Sequence, residues 1–251
     1  MVNKRLIPII SPLIIWLLSQ AFLWQPELFF PALSLGALLI VLGTKYVMGR
    51  SPEDWPLFSS APFLFWISFS GYAAIITNPA LIQAVFLLEA WFIFIYLRDL
   101  YYYSNQSEAD WSPRLDNLFM AGGFLTAFAA SAVFFALPAF LTIPFGLSFL
   151  ILCLILALLL SQFFANKKEH WNQSVLILGV TIVIIMELVG VMSLLPLNFN
   201  VLALFSALIY YFCLAVMRLY YTGSLHRRAL KLPLLLSALA LLILLLTARW
   251  L

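Results

Sequence analysis

Charged side chains are scarce in this chain: Asp, Glu, Lys and Arg together make up 9% of its 251 residues. Soluble domains carry about 25%. No water-facing surface can be built from so few, which excludes a soluble enzyme or binding module. Histidine is equally sparse. The two copies, His170 and His226, both stand outside the apolar runs, which argues against intramembrane haem ligation and a His-assisted membrane serine protease. No Asp stands within the core of an apolar run, against a di-aspartyl intramembrane protease. The chain lacks His-Glu-x-x-His and a Walker-type Gly-Lys-Ser/Thr loop, hence a zinc-protease helix and an ATPase of its own. Its two cysteines, Cys153 and Cys213, sit in apolar runs and read as small buried hydrophobes. No metal, cofactor or nucleic-acid partner is implied, and a non-enzyme is the favoured reading while an enzyme stays open.

What is present is apolar: 65% of residues are hydrophobic and 16% aromatic. Apolar windows of about 20 residues recur, the length a helix needs to cross a ~30 Å hydrocarbon core. They do not alternate with polar residues as barrel strands do. Backbone groups in lipid must bond within their own segment, which again selects helices. The expected fold is an all-α polytopic bundle, one integral membrane domain over 1–251. Nine spans are expected at about 6–24, 28–48, 58–77, 80–99, 118–138, 141–164, 174–195, 200–221 and 232–249. The first could pass for a signal peptide, with Ser19-Gln20-Ala21 as the cleavage-like triplet. It is expected to be retained, because the chain re-enters the membrane directly after Pro26.

Basic residues set the expected orientation. With the N-terminus inside, twelve of the thirteen Lys and Arg residues fall on the inner side and only Arg249 falls outside. The C-terminus is then outside. The outer turns, "WQPE", "TNPA", "LTIPFG" and "LPLNFN", are short and each holds a proline. Proline suits such turns because its φ is fixed and it has no N–H to satisfy. The chain thus reads as four helical hairpins plus a ninth helix, with its polar matter in inner loops such as 98–117. Aromatics including Tyr46, Trp55, Tyr101, Tyr102 and Tyr103 mark the same inner boundary.

Two acids break this pattern. Glu89, in "FLLEAWFIFIYLRDLYYYS", lies ten residues after Pro79 and nine before Arg98. At ~1.5 Å per residue it is near the middle of the core. Glu187, in "VIIMELVGVMSLLP", lies nine residues before Pro196, at similar depth. A carboxylate there costs several kcal/mol unless paired, hydrated or protonated. The two therefore read as a substrate or ion pathway, joined by Gln83, Tyr96 and Gly190 near their helix faces. The alternative is a protonated Glu bonded to a Tyr, Ser or Gln of another helix, holding the bundle in register.

The remaining candidates have simpler roles. Gly122, Gly123, Ala127 and Ser131 put small residues on the fifth span, which lets helix backbones approach closely; that span is read as central and the Leu-rich sixth and ninth as peripheral. Arg98 and Arg218, with His226, Arg227, Arg228 and Lys231, are read as inner-face contacts with lipid headgroups. Three functions stay open: a secondary carrier or permease using Glu89 and Glu187; a non-catalytic scaffold or anchor subunit with other membrane subunits as partners; and a lipid-modifying enzyme using the acids of loop 98–117. The short loops point to a prokaryotic plasma membrane.

Overall fold

The computed structural model describes residues 4–49, 55–105, 108–140, 144–165, 171–221 and 235. They form eight α-helices: α1 Ile7–Trp24, α2 Phe29–Met48, α3 Trp55–Ile75, α4 Pro79–Asn105, α5 Glu108–Phe140, α6 Phe145–Ala165, α7 Trp171–Met192 and α8 Phe199–Tyr221. No β-strand occurs among the described residues. All eight helices are long and apolar enough to cross a membrane. Eight of the nine expected spans correspond to them. The ninth, 232–249, lies outside the described residues apart from Leu235.

The prolines sit where the turns need them. Pro26 opens a 3-10 turn, Pro26–Leu28, between α1 and α2. Pro79 is the first residue of α4, and the Asn78 side chain accepts the Ala80 N–H at 2.9 Å. Asn198 caps α8 in the same way, accepting the Asn200 N–H at 2.9 Å. Asparagine suits this position because its side-chain oxygen satisfies a donor that the first turn leaves open.

One expectation needs correction. Residues 98–117 read as a loop, yet α4 runs on to Asn105 and α5 starts at Glu108. Between Pro79 and Asn105 there is no further proline and no glycine. Nothing breaks the backbone hydrogen-bond ladder, so the helix outlasts its apolar stretch. Charge and aromatic residues mark where a span changes solvent, not where a helix ends.

The chain divides into two compact units, residues 1–126 and 127–251, with the boundary inside α5. In unit 1, α1 lies against α2 and α4, α2 also against α3 and α4, and α3 against α4. Ile15, Ile40, Phe65, Phe86, Ile93 and Leu97 are fully enclosed there. Burial along α4 falls on Val85, Phe86, Glu89, Phe92, Ile93, Tyr96, Leu97 and Leu100, with Asp99 beside them. That spacing of three and four residues is one helix face.

Lipid supplies little hydrophobic drive between helices, so close contact and polar bonds hold them. Gly36 of α2 shows the contact: an added Cβ would lie 2.6 Å from Trp66 Cε2 of α3. The Trp66 indole N–H reaches back to the Leu33 carbonyl at 3.1 Å. Gly122 of α5 is likewise filled by the Phe92 ring of α4. Phe92 stacks on Phe65 with centroids 4.0 Å apart.

Unit 2 is built more openly. Here α7 lies between α6 and α8, and Phe134 of α5 meets Phe145 and Phe149 of α6. Ala127, Ala130 and Ser131 of α5 are buried. In α7 only 17% of the apolar window is buried, against 61% in α3 and 50% in α5. Small residues let α5 sit deep, but α3 sits deeper, because its Phe58, Phe65, Trp66 and Phe69 fill unit 1.

Candidate functional site

The most enclosed acid among the described residues is held by three helices. Glu89 of α4 is 0% exposed. Ser70 of α3 donates to Oε1 at 3.3 Å, and Ser19 of α1 lies 3.5 Å from Oε2. The Ser19 hydroxyl is also 3.0 Å from the Ile15 carbonyl one turn back. A hydroxyl has one proton and two lone pairs. The Ser19 proton is therefore shared between the Ile15 carbonyl and Glu89 Oε2.

Two further polar contacts flank Glu89 on α4. Gln83 and Gln20 form a reciprocal amide pair, with N···O distances of 3.0 and 2.8 Å. Tyr96 is buried, and its hydroxyl donates to the Phe58 carbonyl of α3 at 2.5 Å. That carbonyl has a specific need. Residue 62 is a proline inside α3, so the N–H that would bond the carbonyl four residues back does not exist. Tyr96 supplies the missing donor from the neighbouring helix.

Between α1, with the 3-10 turn Lys4–Leu6 that leads into it, and α4 the contacts run Gln20–Gln83, Ser19–Glu89 and Arg5–Tyr101. The numbers fall along one helix as they rise along the other, as antiparallel neighbours require. Gln83, Glu89 and Tyr96 are thus brought onto the contacts of α4 with α1 and α3. Each engages a group on a neighbouring helix.

The other acid stands differently. Glu187 is exposed on α7, as is Val183 at 56% and Val191 at 63%, one turn either side. Gly190 is half-buried, and the nearest atom to an added Cβ there is Phe149 Cε2 at 3.9 Å, an ordinary contact.

The basic residues divide likewise. Arg98 pairs with the buried Asp99, Nη2 to Oδ1 at 2.9 Å, and its side chain is 41% exposed. Arg218 lies in the last turn of α8, where a cation favours the helix dipole. His226, Arg227, Arg228 and Lys231 lie outside the described residues. Gly122 and Gly123 are buried in unit 1, and Ala127 and Ser131 in unit 2.

Sequence reasoning missed the partners. Ser19 and Gln20 stood inside the cleavage-like triplet, where their polarity within an apolar run was the usable signal. Pro62 signalled an open carbonyl at Phe58, four residues earlier. Arg5 gave no signal toward Tyr101 beyond its place at the same boundary. No protein-family model, no curated protein and no solved structure matches the chain, so its membership rests on architecture: a multi-spanning, all-helical membrane protein.

Proposed function

We propose that the chain is a non-catalytic scaffold or anchor subunit of a membrane assembly, with α7 as the helix that meets a partner. The observation that carries this reading is Glu187, exposed five residues before the end of α7, the span with the lowest buried share among the described helices. A carboxyl group facing hydrocarbon costs several kcal/mol. A partner helix bringing a hydrogen-bond donor removes that cost and seals the apolar residues around it. The enclosure of Glu89 weighs against a carrier path through that residue, since Ser19 and Ser70 already engage it. The short loops support a prokaryotic plasma membrane as the place of action.

The test places a photo-crosslinking residue at Val183 or Val191 in cells that make the chain natively. We expect a discrete protein adduct, which weakens when Glu187 is replaced by Leu and persists with Glu187→Gln, because Gln keeps a hydrogen-bonding side chain. Adducts to lipid alone at both positions, with a lone monodisperse chain on purification, would overturn the reading.

A further inference from the structure

The start of α1 and the far end of α4 flank an open pocket of about 460 Å³ that the reading above does not use. Its size falls in the ~300–1,000 Å³ range of small-molecule sites. Arg5 and Arg98 line it together with Tyr101, Asn105, Ile9 and Phe94. We propose that this cavity binds a phosphate group, supplied as the phosphodiester of an anionic phospholipid.

Both arginines are positioned before any ligand arrives. Arg5 Nε donates to the Tyr101 hydroxyl at 3.3 Å, which ties the start of α1 to the far end of α4. Arg98 is fixed from two directions. Asp99 Oδ1 takes its Nε at 3.0 Å and its Nη2 at 2.9 Å, and the Phe94 ring lies 5.7 Å from the guanidinium carbon. A guanidinium has five N–H donors in a fixed fork. One carboxylate oxygen on the Nε/Nη2 edge leaves the other edge geometrically able to grip a second anion. Asp99 itself is 4% exposed, so it anchors Arg98 from below and does not face an incoming ligand.

Charge decides which phosphate. Arg5 and Arg98 against Asp99 leave one net positive charge among these three residues. A phosphodiester carries one negative charge, so it is matched; a doubly charged phosphate monoester is not. Guanidinium forks suit phosphate oxygens better than point charges do.

The apolar neighbours decide that the source is a lipid. Ile9 at 56% exposed lines the cavity, and Ile10 of α1 at 45% and Leu6 at 45%, just before α1, are exposed beside it. An acyl chain leaving the phosphate would run along these residues. Lys4 and Lys45 stand at the same end of unit 1, Lys4 6.0 Å from the Tyr46 ring and Lys45 5.1 Å from the Trp55 ring. That end thus has the cations and aromatics of a membrane interface. Anionic lipids concentrate beside basic residues at such a surface.

The experiment measures the melting temperature of the purified full chain in detergent as lipid is titrated in. Three probes are compared: phosphatidylglycerol, phosphatidylcholine and inorganic phosphate. Phosphatidylglycerol should raise the melting temperature saturably, with phosphatidylcholine and millimolar phosphate giving little or no shift. Arg5→Gln leaves the Arg98–Asp99 pair intact and should fold; it should weaken the apparent affinity about fivefold, the worth of one interfacial cation. Arg98→Lys keeps a cation beside Asp99 but loses the fork, and should weaken it by a similar factor. An equal shift from inorganic phosphate would overturn the lipid source. No saturable shift from any probe, or wild-type affinity in both variants, would overturn the site.

Discussion

Unit 1 and unit 2 each carry a glutamate within an apolar run, and they surround it in opposite ways. In unit 1 the Glu89 carboxyl has no exposure and meets serines from two other helices. In unit 2 the Glu187 side chain looks outward from a helix with 17% of its apolar window buried. The same chemistry therefore has two consequences. An enclosed, bonded carboxyl fixes how three helices of its own unit register. An outward one leaves its desolvation cost to be met by a neighbour. The contrast extends to the glycines, since Gly36 and Gly122 of unit 1 are overlain by aromatic rings while Gly179 of α7 has open space around it.

The largest expected effect sets the two acids against each other. Glu89→Ala removes a buried side chain and strips two serines of their partner. Large-to-small changes in cores cost about 2–5 kcal/mol, and interhelical hydrogen bonds in membranes average about 0.6 kcal/mol. We expect destabilisation of about 3 kcal/mol, most of it from lost contact, read by denaturation in mixed micelles. Glu187→Ala should leave the stability of the isolated chain within about 0.5 kcal/mol, as surface substitutions do. Equal losses in the two variants would break the comparison.

A smaller effect comes from the glycines. Gly122→Ala forces its methyl into the Phe92 ring, which is held by Phe65. Overfilling a well-filled site costs about 1–3 kcal/mol. Gly179→Ala meets nothing within 4 Å and should gain up to about 1 kcal/mol from helix propensity. Opposite signs in the same melting assay support the contrast between a closed and an open unit. The same sign for both would remove it.

Much of the architecture was legible because lipid writes it in composition. Eight spans follow from apolar length alone, and the hairpin turns follow from Pro26, Pro79, Pro144 and Pro196. The candidacy of Glu89 followed from its place inside an apolar run. Its partners did not, because helix contacts between α1, α3 and α4 depend on which faces meet, and a nearly uniform apolar sequence does not mark faces. Gln83 and Tyr96 could be placed near Glu89 by spacing, yet their bonds go to Gln20 and to the Phe58 carbonyl. The end of α4 was also hidden: Tyr101, Tyr102 and Tyr103 lie within the helix, and interfacial residue types do not mark where a helix stops.

The finest test asks whether unit 1 satisfies its backbone as fully as its side chains. Tyr96→Phe leaves the Phe58 carbonyl without its donor, because Pro62 has none to give. An unpaired buried carbonyl costs about 1–3 kcal/mol, and the lower end suits a membrane helix. Pro62→Ala alone restores an N–H to α3 and should let Phe58 bond within its own helix. In that background the loss of the Tyr96 hydroxyl should matter less, so the two changes should couple by about 1 kcal/mol in a double-mutant cycle. Additive effects would mean that Tyr96 acts through ring contacts with Phe92 and Phe119 alone. The polar tie described between α3 and α4 would then reduce to the Ser70–Glu89 contact. Coupling of the expected sign would show a helix break in α3 repaired from α4, and would place unit 1 among bundles whose register is set by polar bonds rather than by fit.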